Sequence, residues 1–171
     1  SNLRSTSSIC SSFWYCFSAW VTTVVDGGVA VSTILAMSVW AAGWGAARFV
    51  AVVLPRAGVA AQLVAATVAI WNPYVAERLL QGHWSLLAGY AALPWAMCAA
   101  VSIRRGQRGG WPALAVCLAA AGLTPTGVLL AAVVTLAVLA LPGGRSSTVA
   151  RVADAIALTV LASLPWLTAT L

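Results

Sequence analysis

Residues 84–103 read WSLLAGYAALPWAMCAAVSI, twenty positions in succession without a charged side chain. At about 1.5 Å per residue a helix of that length reaches about 30 Å, the thickness of a bilayer's hydrocarbon core. Pro94 falls near its middle and predicts a kink, which helices in lipid tolerate when neighbours re-satisfy the freed carbonyl. The basic loop Arg104-Arg105-Gly106-Gln107-Arg108 closes the run. Hydrophobic residues make up 62% of the 171 positions and charged residues 7%, against about 25% charged in a soluble domain. Nine basic and three acidic side chains cannot cover the surface of a water-soluble protein of this size. The expected fold is therefore all-α, a polytopic transmembrane helix bundle of five to seven membrane segments. Its expected place is the cell (plasma) membrane, as a multi-pass protein with membrane lipid as its first partner.

Upstream of this segment, residues 57–71 (AGVAAQLVAATVAIW) form a shorter apolar helix, and Asn72-Pro73 breaks it because the residue before proline is pushed out of helical geometry. Residues 74–83 (YVAERLLQGH) are the most polar of the central chain. Tyr74, Arg78 and Gln81 recur at i, i+4 and i+7, which predicts a short amphipathic helix along the interface. Residues 29–54 form a further span, with small residues at Ala41, Ala42, Gly45 and Ala46 that offer a close-packing face. Asp26-Gly27-Gly28 is a turn signal. Residues 1–25 are expected to be a polar N-terminal stretch followed by an interfacial or marginal membrane segment, and residues 26–171 the transmembrane helical domain. The chain starts without Met and stops inside an apolar run, which suggests a portion of a longer protein.

Downstream, residues 111–123 and 126–141 are apolar runs broken at Thr124-Pro125-Thr126-Gly127. The first is too short for a comfortable crossing, so a pair of short or tilted helices meeting at the Thr-Pro-Thr break is expected. Residues 149–171 begin another span. If the helices alternate, Arg48, Arg56, Arg104, Arg105, Arg108, Arg145 and Arg151 all fall on one side, cytoplasmic by the positive-inside rule. That pattern accounts for the net charge of +6 without nucleic acid, which is not an expected partner. Asp26, residues 72–83 and Thr124–Thr126 then share the outer face.

The polar residues at that face are the candidate site. Glu77, Arg78, Gln81 and His83 cost a few kcal/mol each at membrane depth, so they face a cavity, pair, or sit among headgroups. One reading is an interfacial helix solvated by headgroups. The other is a site for an anionic lipid-linked ligand, with Arg78 on a phosphate and Glu77 and His83 orienting it or moving protons. Asp26 caps the following helix, or it serves catalysis as part of the same outer pocket. Asp154, three residues after Arg151, reads as a charge pair at a helix start. Cys10, Cys16, Cys98 and Cys117 form no metal-like spacing with His83 and read as small hydrophobes. No metal-ligand set and no cofactor are identified, and no Walker, zincin, Rossmann or nucleophile-elbow pattern occurs.

The run Trp71-Asn72-Pro73-Tyr74-Val75-Ala76-Glu77-Arg78-Leu79-Leu80-Gln81-Gly82-His83-Trp84, continued by Leu87-Ala88-Gly89-Tyr90 and Leu93-Pro94-Trp95, resembles a segment of large actinobacterial multi-span membrane proteins related to the GT-C class of glycosyltransferases. Val25-Asp26-Gly27-Gly28 and Gly122-Leu123-Thr124-Pro125-Thr126-Gly127 resemble further pieces of the same proteins. The resemblance implies a larger GT-C-like bundle that transfers a sugar from a polyprenyl-phosphate donor to a cell-envelope glycan acceptor at the outer leaflet, with or without a divalent metal in the full-length protein. It implies a substrate-binding role for Asn72, Glu77, Arg78, His83 and Asp26. It also implies an acid in an outer loop upstream of Asp26, and residues 1–23 contain none, so no catalytic residue is assigned. A transporter or lipid flippase, or a truncated non-catalytic membrane protein, are the competing readings.

Overall fold

A computed structural model describes residues 27–142 and 147–169, with side chains of the last helix described as far as Leu164. The expectations for residues 9–25, Asp26 and Arg145 lie outside the described residues. Every regular element described is an α-helix: α1 Gly27–Val53, α2 Gly58–Ile70, α3 Pro73–Gln81, α4 Trp84–Arg104, α5 Gly110–Ala121, α6 Pro125–Ala140 and α7 Thr148–Ala169. The chain divides into two units, Ser1–Ile34 and Leu35–Leu171. In the first, the start of α1 is described, where Thr33 Oγ1 donates to Val29 O at 2.8 Å. The rest of α1, from Leu35 onward, and the other six helices belong to the second.

Contacts along the helices fix their directions. Trp95 Nε1 on α4 donates to Ala41 O on α1 at 3.0 Å, and Arg105 Nη2 donates to Val52 O at 2.8 Å, so α1 and α4 run the same way. Tyr90 Oη donates to Ala69 O at 3.0 Å, which brings α2 back in the opposite sense. Gly110 at the start of α5 lies against Ile103, and Gly127 at the start of α6 lies against Gly89 and Ala121. Arg104 Nη2 donates to Pro142 O beyond the end of α6 at 2.7 Å. Gly122 sits against Ala162 O of α7. Six helices thus alternate in direction, and α3 caps one end. That end carries residues 72–84 and 122–127, and the other carries Arg56, Arg104, Arg105, Arg108 and Arg151. Of the grouping expected from the loops, Arg56, Arg104, Arg105, Arg108 and Arg151 share one end, whereas Arg48 lies within α1, and Asp26 and Arg145 fall outside the described residues.

The core is made of small residues. Ala96, Ala99, Ala100, Ala121, Ala131 and Ala155 cluster with Ile103, Leu114, Leu118 and Leu139. Such residues let helix backbones approach closely, which drives helix association where lipid removes the hydrophobic term. The expected small face of α1 is used in this way: Ala42, Gly43 and Gly45 are buried, and a Cβ on Gly45 would lie 2.6 Å from Trp95 Nε1. Outward positions are apolar, unlike those of a soluble bundle. Val116 is 69% exposed and Leu63 63%, and no residue of α2 is buried.

Among the described residues two helices are long and apolar enough to cross a membrane, Gly27–Val53 and Trp84–Arg104. A third candidate is the pair Gly58–Ile70 and Pro73–Gln81, bent by 42° at the Asn72-Pro73 break. Pro94 is buried inside α4, whose helical course continues to Arg104. The charge pair expected at the start of α7 does not form: Arg151 is buried and gives Nη2 to Thr148 Oγ1 at 3.0 Å, while Asp154 is exposed.

Candidate functional site

The polar end is built by two copies of one device, an Asx or Thr cap followed by proline. Asn72 is extended (φ −140°, ψ 157°), Pro73 occupies the first helical position of α3, and Asn72 Oδ1 accepts from Val75 N at 3.0 Å. Thr124 is extended (φ −134°, ψ 142°), Pro125 opens α6, and Thr124 Oγ1 accepts from Gly127 N at 3.1 Å. The cap oxygen satisfies an orphan amide, and proline sacrifices a donor that had no partner in the first turn. Asn72 does more than cap. Its Nδ2 faces Ala69 O at 3.0 Å and Tyr90 Oη at 3.2 Å, tying the break between α2 and α3 to α4.

The other end of α3 brings His83 back onto Arg78. Gly82 adopts φ +66°, ψ 22°, the left-handed region that glycine enters without a Cβ penalty. Gly82 N then donates to Leu79 O at 3.2 Å and His83 N to Arg78 O at 3.1 Å, the paired bonds of a Schellman ending. The side chains follow. Arg78 Nη1 donates to Gln81 Oε1 at 2.8 Å and lies 3.3 Å from His83 Nδ1. Arginine can only donate, so Nδ1 accepts and the ring proton of that tautomer is on Nε2. Gln81 Nε2 donates to Glu77 Oε1 at 3.3 Å, and the same oxygen is 3.6 Å from Arg78 Nη2.

Beneath the guanidinium lies an aromatic floor. Arg78 sits 5.4 Å from the Tyr74 ring centroid, and the Tyr74 and Tyr90 rings are 5.5 Å apart. Arg78 is thus fixed through Nη1 and its planar face. Its Nε is buried and has no hydrogen-bond partner among the described residues, and Nη2 reaches Glu77 only at ion-pair distance. The Nε–Nη2 edge is the fork that binds carboxylate or phosphate in a bidentate manner. Glu77 is 56% exposed, so its attraction for Arg78 is weakened by solvent.

Two voids flank this platform. Between Tyr74, Tyr90, Leu93 and the start of α6 the space is about 10 Å³, at the limit of one water. On the other side of Tyr90 an apolar cleft of about 750 Å³ opens between α1 and α2, with Val50, Leu54, Val64, Val68, Asn72 and Tyr90 among its walls. Of the residues singled out from the sequence, Glu77, Arg78, Gln81 and His83 form one hydrogen-bonded group, and Asn72 is linked to it through Tyr90 and the Tyr74 ring. Asp26 lies outside the described residues. Tyr90 is the member that helical spacing missed, because it lies on another helix 18 positions from Asn72. Among the described residues no three of His, Cys, Asp and Glu come together as a metal site would need.

No family model, no curated protein and no solved structure matches this chain.

Proposed function

We propose that the chain is a multi-pass protein of the plasma membrane, with five to seven membrane segments, that binds a phosphate-bearing isoprenoid lipid at its polar end. In the fuller form of this reading it is part of a GT-C-like glycosyltransferase that takes a sugar from a polyprenyl-phosphate donor for a cell-envelope glycan. The observation that carries the proposal is the state of Arg78. Its position is held by Gln81, His83 and Tyr74, while its buried Nε has no hydrogen-bond partner among the described residues, and Tyr90, in contact with the Tyr74 ring, lines an apolar cleft. Arg78 and His83 would meet the phosphate. Glu77 and Gln81 would position them, Asn72 and Tyr90 would hold the mouth open, and the cleft would take the apolar chain. Asp26 would complete the outer pocket. A fixed fork loses less entropy on binding than a free arginine would, which favours an anion that can present two oxygens to it, as a phosphate can.

The test is binding of a polyprenyl-phosphate analogue to the full-length protein in nanodiscs, alongside Arg78→Ala. Saturable binding that the substitution weakens by at least about tenfold supports the reading. Equal binding by the two forms, or normal sugar transfer by Arg78→Ala and His83→Ala variants, overturns it. The 42° bend between α2 and α3 favours a second reading, lipid transport, because interrupted helices form the substrate sites of many transporters. Analogue binding accompanied by movement of the lipid between leaflets, without sugar transfer, would select that reading.

A further inference from the structure

We infer that the opposite end of the bundle holds a second anion site, for the headgroup phosphate of an anionic phospholipid, built on Arg151 and completed by Arg104. The inference stands independently of the site at Arg78. Arg151 is 2% exposed and lies in the first turns of α7, one turn before the buried Ala155. Of its three guanidinium nitrogens only Nη2 has a partner, the neutral Thr148 Oγ1 at 3.0 Å. Nε and Nη1 are buried without partners, and so is Nε of Arg104. Arg104 is held at this end by Pro142 O, between α6 and α7 in the chain. Each unpaired buried donor is costly, and a buried cation without a counter-charge is costlier still.

Among the described residues no acid supplies that counter-charge. Of the three acidic residues, Asp26 lies outside the described residues, Glu77 is spent at the polar end, and Asp154 is exposed and makes no ion pair with Arg151. Arg56, Arg104, Arg105, Arg108 and Arg151 meanwhile gather at one end of an apolar bundle, where a bilayer would present its phosphates. Basic pockets between helices at that level are where anionic headgroups bind, and the positive start of α7 adds to the field. A phosphate oxygen accepting from Arg151 Nη1 or Nε, which lie on different edges of the guanidinium, would satisfy one of the two orphan donors and supply the missing counter-charge.

The test uses the full chain in nanodiscs of phosphatidylcholine alone, of phosphatidylcholine with phosphatidylglycerol, and of phosphatidylcholine with inorganic phosphate in the buffer. Thermal unfolding is followed for the wild type, Arg151→Met and the exposed control Arg108→Gln. The expected result is a crossing. In phosphatidylcholine alone Arg151→Met unfolds at or above the wild-type temperature, because a buried unpaired charge has been removed. Phosphatidylglycerol raises the midpoint of the wild type and of Arg108→Gln but not that of Arg151→Met. Should Arg151→Met fail to fold, Arg151→Lys keeps the charge but loses the fork, and its half-saturating phosphatidylglycerol fraction should rise. A phosphatidylglycerol response of Arg151→Met equal to that of the wild type overturns the site. So does an unchanged titration of Arg151→Lys. Full stabilisation by inorganic phosphate in phosphatidylcholine would overturn the lipid as its source.

Discussion

Arg78 and Arg151 stand at opposite ends of one helix bundle and are held in opposite ways. Arg78 is partly exposed and surrounded by side chains that can answer its charge: Gln81, His83, Glu77 and the face of Tyr74. Arg151 is buried and touches one hydroxyl. The first arrangement is complete enough to persist without a ligand, so its ligand gains by meeting a group already in place. The second leaves two donors unpaired in an apolar setting, so the proposed ligand would be part of what stabilises the fold. Under the two proposals the same residue type would serve recognition at one end and lipid-dependent stability at the other. The number of polar neighbours that the local helix supplies makes the difference.

The comparison can be broken most severely at the glycines that set each end. A Cβ on Gly127 would lie 2.5 Å from Ala121 O and 2.6 Å from Thr124 Oγ1, and neither atom can move without breaking the cap of α6. Gly127→Ala should cost about 3 kcal/mol, measured by unfolding in a fixed detergent. At the arginine end Gly110→Ala would place its Cβ 2.8 Å from Ile103 N, and about 2 kcal/mol is expected. A neutral Gly127→Ala would show that the polar end is looser than its contacts imply.

The two caps should separate next. Thr124→Ala removes one hydrogen bond and should cost about 1 kcal/mol. Asn72→Ala also removes the link to Tyr90, so about 2 kcal/mol is expected. Tyr90→Phe, which keeps the ring but drops the hydroxyl bonded to Ala69 O, should cost about 1 kcal/mol. If Asn72→Ala and Thr124→Ala cost the same in the same unfolding assay, the bond across to α4 carries no stability. The smallest effect belongs to Glu77→Gln. Its exposed contact with Arg78 at 3.6 Å should leave stability within about 0.5 kcal/mol, and a larger loss would mean that Glu77 fixes the guanidinium.

Much of this was legible in the sequence because lipid imposes simple rules on it. Uncharged runs gave the helices, Asn72-Pro73 and Thr124-Pro125 gave their breaks, and the loop arginines gave the common end. The spacing of Tyr74, Arg78 and Gln81 gave the polar face of α3. What stayed hidden depends on contacts between helices. Tyr90 joins the site only because α4 packs beside the break at Asn72. Arg151 looked like the partner of Asp154, since spacing of three residues places them near one face of a helix. The packing of α7 turns Arg151 inward and leaves Asp154 outside, and no periodicity distinguishes those outcomes. The left-handed turn at Gly82 is a milder case. A glycine after a polar helix predicts an ending, but not that the ending folds His83 back onto Arg78.

The claim beneath both sites is that the bundle crosses a membrane with residues 72–84 on one side and the arginine loops on the other. Labelling of single cysteines introduced as Gln81→Cys and Arg108→Cys, in a form lacking the native cysteines and expressed in intact cells, tests it directly. The expected result is that an impermeant maleimide labels Gln81→Cys from outside, and Arg108→Cys only after the membrane is opened. Labelling of both from outside, or of neither until the membrane is opened, would contradict it.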